Sequence, residues 1–388
     1  MKKVLIVVPR LIGHGMERMA VLAADVLSDK YETEIIVFTK KDKQYETSSK
    51  IVDLNIPTNK SKIKKVFNVF RRVRKLKTYR RQNNPYAVIS FGTSANIVNV
   101  LSKGYGKTVI SFRGYATIKK GVSFNLSCRF ADWIFCISEE LLDYFQKICP
   151  WAKRKSSVIY NSVDLDNIRQ KLCDQVNYEP RHPAFVAVGR LEPVKGYIHL
   201  LNAFALVKKR FPMASLTMIG DGSEKESLKK RTVELGISNN VTFLGSKENP
   251  FPYISKCDIC VGTSITEGFM NVILEAGACE VPVISVDCFA GPREILSKEK
   301  FERPLNEIKY ADYGILVPAF EAWDSIELEK EQLLAKAMLR LATDTQMYNL
   351  YRTKLLERAN DFSIQNYRTD LINLLESRLI NDKEEKIK

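Results

Sequence analysis

Short apolar runs recur along the whole chain, separated by longer amphipathic stretches. They fall at residues 4–8, 35–38, 88–91, 109–112 and 133–137, and again at 184–188, 216–219, 241–244, 258–262 and 283–286. Runs this short and this continuously apolar read as strands covered on both faces. Strands alternating with helix-length amphipathic segments read as crossover units, so the chain is predicted to build parallel α/β sheets. The pattern runs twice. Between the two runs, residues 164–183 show little apolar periodicity and contain two prolines, which marks a boundary. Two domains are the natural expectation for 388 residues. We place them at 1–165 and 180–360, with the periodic run 363–379 crossing back onto the first. No tandem repeat of 20 to 50 residues is visible.

Composition narrows the class further. The chain is 45% apolar and 27% charged, as in ordinary folded soluble proteins. Met1-Lys2-Lys3 is followed by an apolar run only at 4–8 before Pro9 and Arg10, too short for a signal core. No segment reaches the 18 apolar residues of a membrane span. A cytosolic protein is expected. The 8 cysteines do not form a secreted framework. Cys257 and Cys260 have C-x-x-C spacing, but they fall on a strand-like run without a second pair, so buried free thiols are expected.

The segment 266–276, T-E-G-F-M-N-V-I-L-E-A, follows the strand-like run at 258–262 and places Glu267 and Glu275 eight apart. A helix starting near Gly268 would aim the backbone N–H groups of Gly268, Phe269, Met270 and Asn271 at whatever lies above the strand. Those groups and the positive helix end suit a phosphate. Glu267 would lie at the mouth of such a site. Glu275, about two turns in, could accept two ribose hydroxyls. Taken alone, the segment also fits a surface helix with two ordinary acids. Three further motifs favour the nucleotide-sugar pocket. Gly189-Arg190-Leu191 through Lys195-Gly196 puts two cations on a strand-to-helix loop, where they can hold a diphosphate. Gly220-Asp221-Gly222 ends another run, and Gly291-Pro292-Arg293-Glu294-Ile295-Leu296 follows a third. All of them fall just past predicted strand ends, where open parallel sheets bind ligands.

This series resembles the retaining glycosyltransferases of family 4, which have the GT-B fold: two Rossmann-like domains with parallel sheets facing across a cleft. The likeness spans about residues 4–375 in the right order. It takes in Gly13-His14-Gly15 as a glycine-rich first loop, Ala131-Asp132 through Ser138 as a strand motif, and 158–164, V-I-Y-N-S-V-D, between the domains. The resemblance implies transfer of a hexose from a nucleoside diphosphate sugar, with UDP the expected nucleotide, to a growing glycan in capsule, exopolysaccharide or O-antigen assembly. It implies Arg190 and Lys195 on the donor diphosphate, Glu267 by the transferred sugar and Glu275 on the ribose. Gly13, Gly15, Gly189, Gly220 and the 268–271 backbone would line the donor. Many relatives carry a histidine after the fourth strand, facing the acceptor. Here Ser111-Phe112-Arg113-Gly114 stands instead. Arg113 cannot act as a base; it would bind sugar or phosphate, or pair with a core acid. His14, His182 and His199 occupy other motifs. His14, in the first loop, would face the donor or stay solvated.

Other cofactors are not expected. The third glycine of a G-x-G-x-x-G fingerprint is Arg18 here, and 39–41, T-K-K, offers no acid to a ribose, which argues against NAD or FAD. Asp164-Leu165-Asp166 matches D-x-D as text but falls in the interdomain connector. With two cations on the diphosphate, no metal is needed. Two rival readings remain: an epimerase of the same fold, and a non-catalytic basic adaptor at a membrane surface.

The net charge of +15 is unevenly spread. Residues 60–81 hold 11 of the basic residues and no acid: Lys60, Lys62, Lys64, Lys65, Arg71, Arg72, Arg74, Lys75, Lys77, Arg80 and Arg81. Ile63, Phe67, Phe70, Val73 and Leu76 are interleaved at helical spacing, and Val66 and Val69 widen that stripe. A basic amphipathic helix is predicted. Its apolar stripe would dock on the domain core with solvated cations, or rest on anionic lipid, each cation adding roughly 1 kcal/mol. No nucleic-acid motif accompanies the charge. The resemblance supplies a reason for lipid: many relatives extend glycans carried on polyisoprenoid diphosphates at the inner membrane leaflet.

Overall fold

A computed structural model describes the chain apart from residues 13–14, 41–46, 58–60 and 380–388. Gly13, His14 and Lys60 therefore lie outside the described residues. The chain divides into two compact units, Met1–Ser162 with Ile364–Lys388, and Val163–Ser363. The division falls at Ser162, ahead of the 164–183 stretch. That stretch lacks strand periodicity because it holds a helix of its own.

The first unit alternates strands and helices except at β2 and β3, which follow one another. It runs β1 (Lys3–Val8), α1 (Gly15–Leu27), β2 (Glu32–Val37), β3 (Lys50–Asp53), α2 (Lys62–Asn83), β4 (Ala87–Phe91) and α3 (Thr93–Leu101). It continues with β5 (Lys107–Phe112), α4 (Val122–Phe130), β6 (Trp133–Cys136), α5 (Glu139–Ile148) and β7 (Ser156–Val158). The seven strands are all parallel, in the order β3-β2-β1-β4-β5-β6-β7. Pleating sends Val4, Ile6 and Val8 to one face and Leu5 and Val7 to the other, and each face has its own apolar cluster. That two-sided burial is why the runs are apolar without alternation. Local signals fix the helix ends. Ser138 accepts from Leu141 N–H at 3.3 Å to cap α5, and Glu139 and Glu140 occupy its first turn.

The second unit opens with α6 (Leu165–Leu172), whose N-cap Asp164 accepts from Asn167 N–H at 3.0 Å. Next come β8 (Ala184–Val188), α7 (Tyr197–Arg210), β9 (Ser215–Ile219), α8 (Lys225–Glu234), β10 (Val241–Gly245), α9 (Phe251–Ile254) and β11 (Ile259–Gly262). Then follow α10 (Asn271–Ala278), β12 (Val283–Val286), α11 (Pro292–Leu296), β13 (Lys309–Tyr310), β14 (Ile315–Val317), α12 (Leu328–Thr343) and α13 (Thr345–Asn360). The sheet order is β10-β9-β8-β11-β12-β14-β13, parallel except for the β13–β14 pair. In both sheets the order reverses beside the first strand, at β1/β4 and β8/β11. This is the Rossmann arrangement, which opens a crevice at the carboxyl ends of those strands.

The last α-helix, α14 (Ile364–Asn373), continues into a π-helical turn at Leu374–Arg378 and belongs to the first unit. Tyr367, Leu371, Leu374 and Leu375 join the cluster formed by Met19, Ala20, Ala23 and Ala24 of α1. Tyr86 Oη donates to Leu375 O at 2.6 Å, and Arg368 Nε to Val26 O at 3.2 Å.

The predicted stripe on α2 splits in two. Val69, Val73 and Leu76 pack on the core face with Leu54 and Phe38, whereas Val66, Phe67 and Phe70 are 59%, 62% and 68% exposed. The uniform reading of its cations fails as well. Arg72 is buried and donates through Nε and Nη2 to Ile56 O, and Lys75 Nζ donates to Leu54 O at 2.6 Å. Arg80 is wholly buried. These three cations fasten the helix to its own domain.

Candidate active site

Loops at the carboxyl ends of β8, β9, β11 and β12 knit into one surface of the second unit. The β8 loop lies on the β9 loop: Gly189 N–H donates to Ile219 O and Leu191 N–H to Asp221 O, both at 2.9 Å. It also lies on the β11 loop, where Thr263 Oγ1 donates to Lys195 O at 3.0 Å and Ile265 N–H to Val194 O at 2.8 Å. The β11 loop in turn meets the β12 loop, since Glu267 N–H donates to Phe289 O at 3.1 Å.

Two glycines make the packing possible. Gly196 has φ +59°, and a Cβ there would lie 2.4 Å from Thr263 O. Gly220 has φ +147°, and a Cβ there would lie 1.9 Å from Gly189 O. Gly220→Ala is therefore expected to force the β8 and β9 loops apart, costing the second unit about 3 kcal/mol or more. Gly236→Ala is the control. Its φ of +65° carries backbone strain, but nothing lies within 4 Å of the added Cβ, so the cost should stay near 1–2 kcal/mol. Chemical denaturation of both variants checks the difference.

Across the β8/β11 switch point, Lys195 Nζ lies 2.5 Å from Glu267 Oε1. Ser264 Oγ donates to the same oxygen at 2.7 Å. The cation and acid that the sequence assigned to one pocket are thus in direct contact, both mostly shielded from solvent. Two neighbours that sequence reasoning missed complete the cluster. Ser264, three residues before Glu267, fixes the carboxylate. Tyr197, just after the Lys-Gly pair, places its hydroxyl 2.7 Å from where a Cβ on Gly189 would stand. Burial, and then the Glu267 charge, raise the Tyr197 phenol well above its ordinary value. The same two causes, in the same order, raise the buried Cys288 thiol, which therefore stays protonated beside the carboxylate. Position alone could have suggested Ser264 and Tyr197; their roles depend on loop packing.

The other candidates are placed as follows. Arg190 is exposed on the β8 loop, and no contact brings it to Lys195 or Glu267. The helix predicted near Gly268 begins three residues later, at Asn271, because Met270 is non-helical at φ −85°, ψ 81°. Asn271 N–H donates to Phe269 O at 3.1 Å, so it does not extend the expected fan of donors. Gly268, Phe269 and Met270 are buried. Glu275 is half-buried on α10. Burial first, then the Glu275 charge, raise the Cys279 thiol. Gly15 opens α1 in the first unit.

Arg113 follows β5 in the first unit. Its Nη2 donates to Asn161 Oδ1, and the guanidinium lies 5.2 Å from the Phe91 ring centroid. Its buried Nη1 has no hydrogen-bond partner among the described residues. Burial lowers the guanidinium to about 10 from its usual 12.5, so it stays charged at neutral pH. Among the described residues its hydrogen-bond partner is the Asn161 amide, not a core acid.

Arg293 of the G-P-R-E-I-L motif is structural, clamping Asp287 through Nε at 2.9 Å and through Nη2. His199 is buried between Glu331 Oε1 at 2.8 Å and Ala322 O at 2.6 Å. His182 meets Asp258 at 2.8 Å. Asp164 and Asp166 are a helix cap and a partner of Arg169. Among the described residues, no group of three or more His, Cys, Asp or Glu gathers as a metal-holding cluster, and no helix is long and apolar enough to cross a membrane.

Comparison with known proteins agrees with this architecture. A crystal structure of Anabaena HepE in complex with UDP and glucose superposes with a TM-score of 0.72 at 19% identity, covering 97% of this chain and all 100% of that one. A sucrose-phosphate synthase from Thermosynechococcus elongatus gives 0.75 at 16% identity, covering 96% and 98%. Two Rossmann-like units of this kind define the GT-B fold. Residues 169–344, within the second unit, match the family of glycosyl transferases group 1. The chain is a glycosyltransferase, and its second unit carries the group 1 domain. It is 27% identical over 366 residues to an uncharacterised glycosyltransferase of Methanocaldococcus jannaschii, covering 86% of this chain and 90% of the relative. Over 224 residues it is 29% identical to the N-acetylgalactosamine-N,N'-diacetylbacillosaminyl-diphospho-undecaprenol 4-alpha-N-acetylgalactosaminyltransferase of Campylobacter jejuni, covering 58% of this chain and 53% of the relative.

Proposed function

We propose that the protein is a retaining hexosyltransferase of family 4. It takes its sugar from UDP-hexose and extends a lipid-linked glycan in capsule, exopolysaccharide or O-antigen assembly. One observation carries this reading: Lys195 meets Glu267 at 2.5 Å across the β8/β11 switch point, inside the group 1 domain. As the glycosidic bond breaks, negative charge grows on the leaving phosphate oxygen. Lys195, with Arg190 from the same loop, stabilises that charge more than the ground state. Glu267, fixed by Ser264, faces the positive character at the anomeric carbon. Glu275 holds the ribose. The departing phosphate oxygen takes the acceptor proton, which suits a chain whose described histidines are engaged elsewhere. Arg113, charged and without an acid partner among the described residues, binds sugar or phosphate on the acceptor side.

The Campylobacter relative, whose name states a diphospho-undecaprenol acceptor, supports a polyisoprenoid-linked acceptor here. The protein would then work in the cytoplasm, peripherally at the inner leaflet of the plasma membrane, with an anionic bilayer surface as its partner through residues 60–81. The test is UDP release from a panel of UDP-sugars, with and without a polyisoprenoid-linked acceptor. Acceptor-dependent release with retained anomeric configuration is expected. It should persist in excess EDTA, because side-chain cations neutralise the diphosphate. Sugar epimerisation without transfer would overturn the proposal in favour of the epimerase reading. Activity lost in EDTA and restored by Mg²⁺ would overturn metal independence.

A further inference from the structure

The split of α2 into two faces separates cations that hold the domain together from cations with no hydrogen bond or ion pair among the described residues. At 100° per residue, Val69, Arg72, Val73, Leu76 and Arg80 form the inward arc. The opposite arc carries Phe67 and Phe70 toward the start of the helix and Arg71, Arg74 and Arg81 along its length, while Val66 and Lys77, about 80° and 100° from Leu76, sit on its flank. All seven are exposed. Two adjacent turns thus present two phenylalanines and a valine to solvent, within a field of positive charge. Burying such rings in the domain core would satisfy them, yet the apolar side chains the helix turns inward are Val69, Val73 and Leu76.

Topology places this apolar tip. In a parallel sheet each crossover helix starts at the carboxyl edge of the strands, so the first turns of α2 and α4 share that edge. The start of α4 repeats the chemistry: Val122 is 78% exposed and follows the exposed Lys119 and Lys120. The carboxyl edge is also where this unit would meet an acceptor.

We infer that the outward arc of α2, with Val66, Phe67 and Phe70 as its apolar tip, docks on an anionic lipid surface. Cations alone would suit any polyanion. Aromatic rings that project beyond their own domain fit a surface with an apolar layer beneath a negative one, and an interfacial helix of this composition lies in the headgroup plane. The charge complementarity commits the face to anionic bilayer rather than to a neutral one. This inference rests on the membrane part of the proposed function and deepens it, assigning contact to particular residues and removing Arg72, Lys75 and Arg80 from it.

The experiment is co-sedimentation of the full chain with phosphatidylglycerol-containing and pure phosphatidylcholine vesicles, at low and moderate salt. Binding should require phosphatidylglycerol and weaken as salt rises, because exposed charges are screened over about 8–10 Å. The quadruple variant Arg71→Gln, Arg74→Gln, Lys77→Gln, Arg81→Gln should bind roughly 10²- to 10³-fold more weakly at low salt. Phe67→Ser with Phe70→Ser should lose roughly 10-fold or more at either salt concentration. Both variants alter exposed side chains, so thermal melting should match the parent, and UDP should still protect both against heat. UDP protection absent in the parent would count against the donor reading and leave the lipid measurement intact. Vesicle affinity unchanged in either variant overturns the inference. So does a stable dimer that dissolves when Phe67 and Phe70 are replaced, which would assign the face to a second copy.

Discussion

Lys195→Ala is expected to lower turnover by roughly 10²-fold or more, the equivalent of about 3 kcal/mol of transition-state stabilisation. The side chain lies 2.5 Å from Glu267 and closes the gap between the β8 and β11 loops. Its cation is worth most when charge develops on the departing phosphate, so the loss should fall on kcat more than on KM. Lys195→Arg keeps the charge. However, a forked guanidinium cannot take the place of a compact ammonium between two loops, so only partial recovery is expected. Glu267→Gln separates two roles. If the carboxylate acts only by holding Lys195, Glu267→Gln and Lys195→Ala should cost less together than the sum of their separate effects. Near-normal transfer by Lys195→Ala would remove the clamp from this loop. Both residues lie on loops outside the sheet core, so melting should move far less than turnover, and a large drop in stability would mark the pair as structural instead.

The parallel sheets could be read from the chain because both faces of each strand are covered, which leaves continuous apolar runs such as 184–188. The loop motifs were readable because glycines are forced where backbones touch: Gly196 against Thr263 and Gly220 against Gly189. Side-chain partnerships were another matter. Lys195 and Glu267 are 72 residues apart, and only the strand order brings them to one switch point. Ser264 and Tyr197 look like ordinary loop and helix residues until that order is known. The start of α10 was misplaced by three residues because Gly268 and Phe269 continue a bent loop pinned by Phe289. In α2, apolar residues at helical spacing look alike in sequence whether they face a core or solvent. Helical spacing places Phe67 and Phe70 about 180° and 120° from Leu76 around the axis, and that angle, rather than their hydrophobicity, decides their exposure.

The same helix contains the substitution with the largest expected effect on stability. Arg80 is wholly buried, and its guanidinium makes six hydrogen bonds. Nε donates to Tyr105 O at 2.8 Å. Nη1 donates to Asn99 O and Asn99 Oδ1, both at 3.0 Å, and to Ser102 Oγ at 3.3 Å. Nη2 donates to Gly106 O at 3.1 Å and Thr108 Oγ1 at 3.0 Å. Burial lowers the guanidinium to about 10, partly offset by the Asp132 carboxylate, so it remains charged at neutral pH. Removing it strips donors from three backbone carbonyls at once, that of Asn99 fully buried, and empties the space between α2, α3 and β5. Arg80→Ala should therefore cost about 3–5 kcal/mol. The melting transition of the first unit should fall by roughly 6–20 °C. Arg80→Lys keeps a charge but reaches fewer of these acceptors, so it should fall between alanine and the parent. The adjacent Arg81, exposed on the outward arc, gives the contrast: Arg81→Ala should stay within about 0.5 kcal/mol of the parent. Equal stability of the Arg80 and Arg81 variants would sink this assignment. If the difference holds, one basic stretch does two jobs, with Arg80 anchoring the helix so that Arg81 and its neighbours face outward.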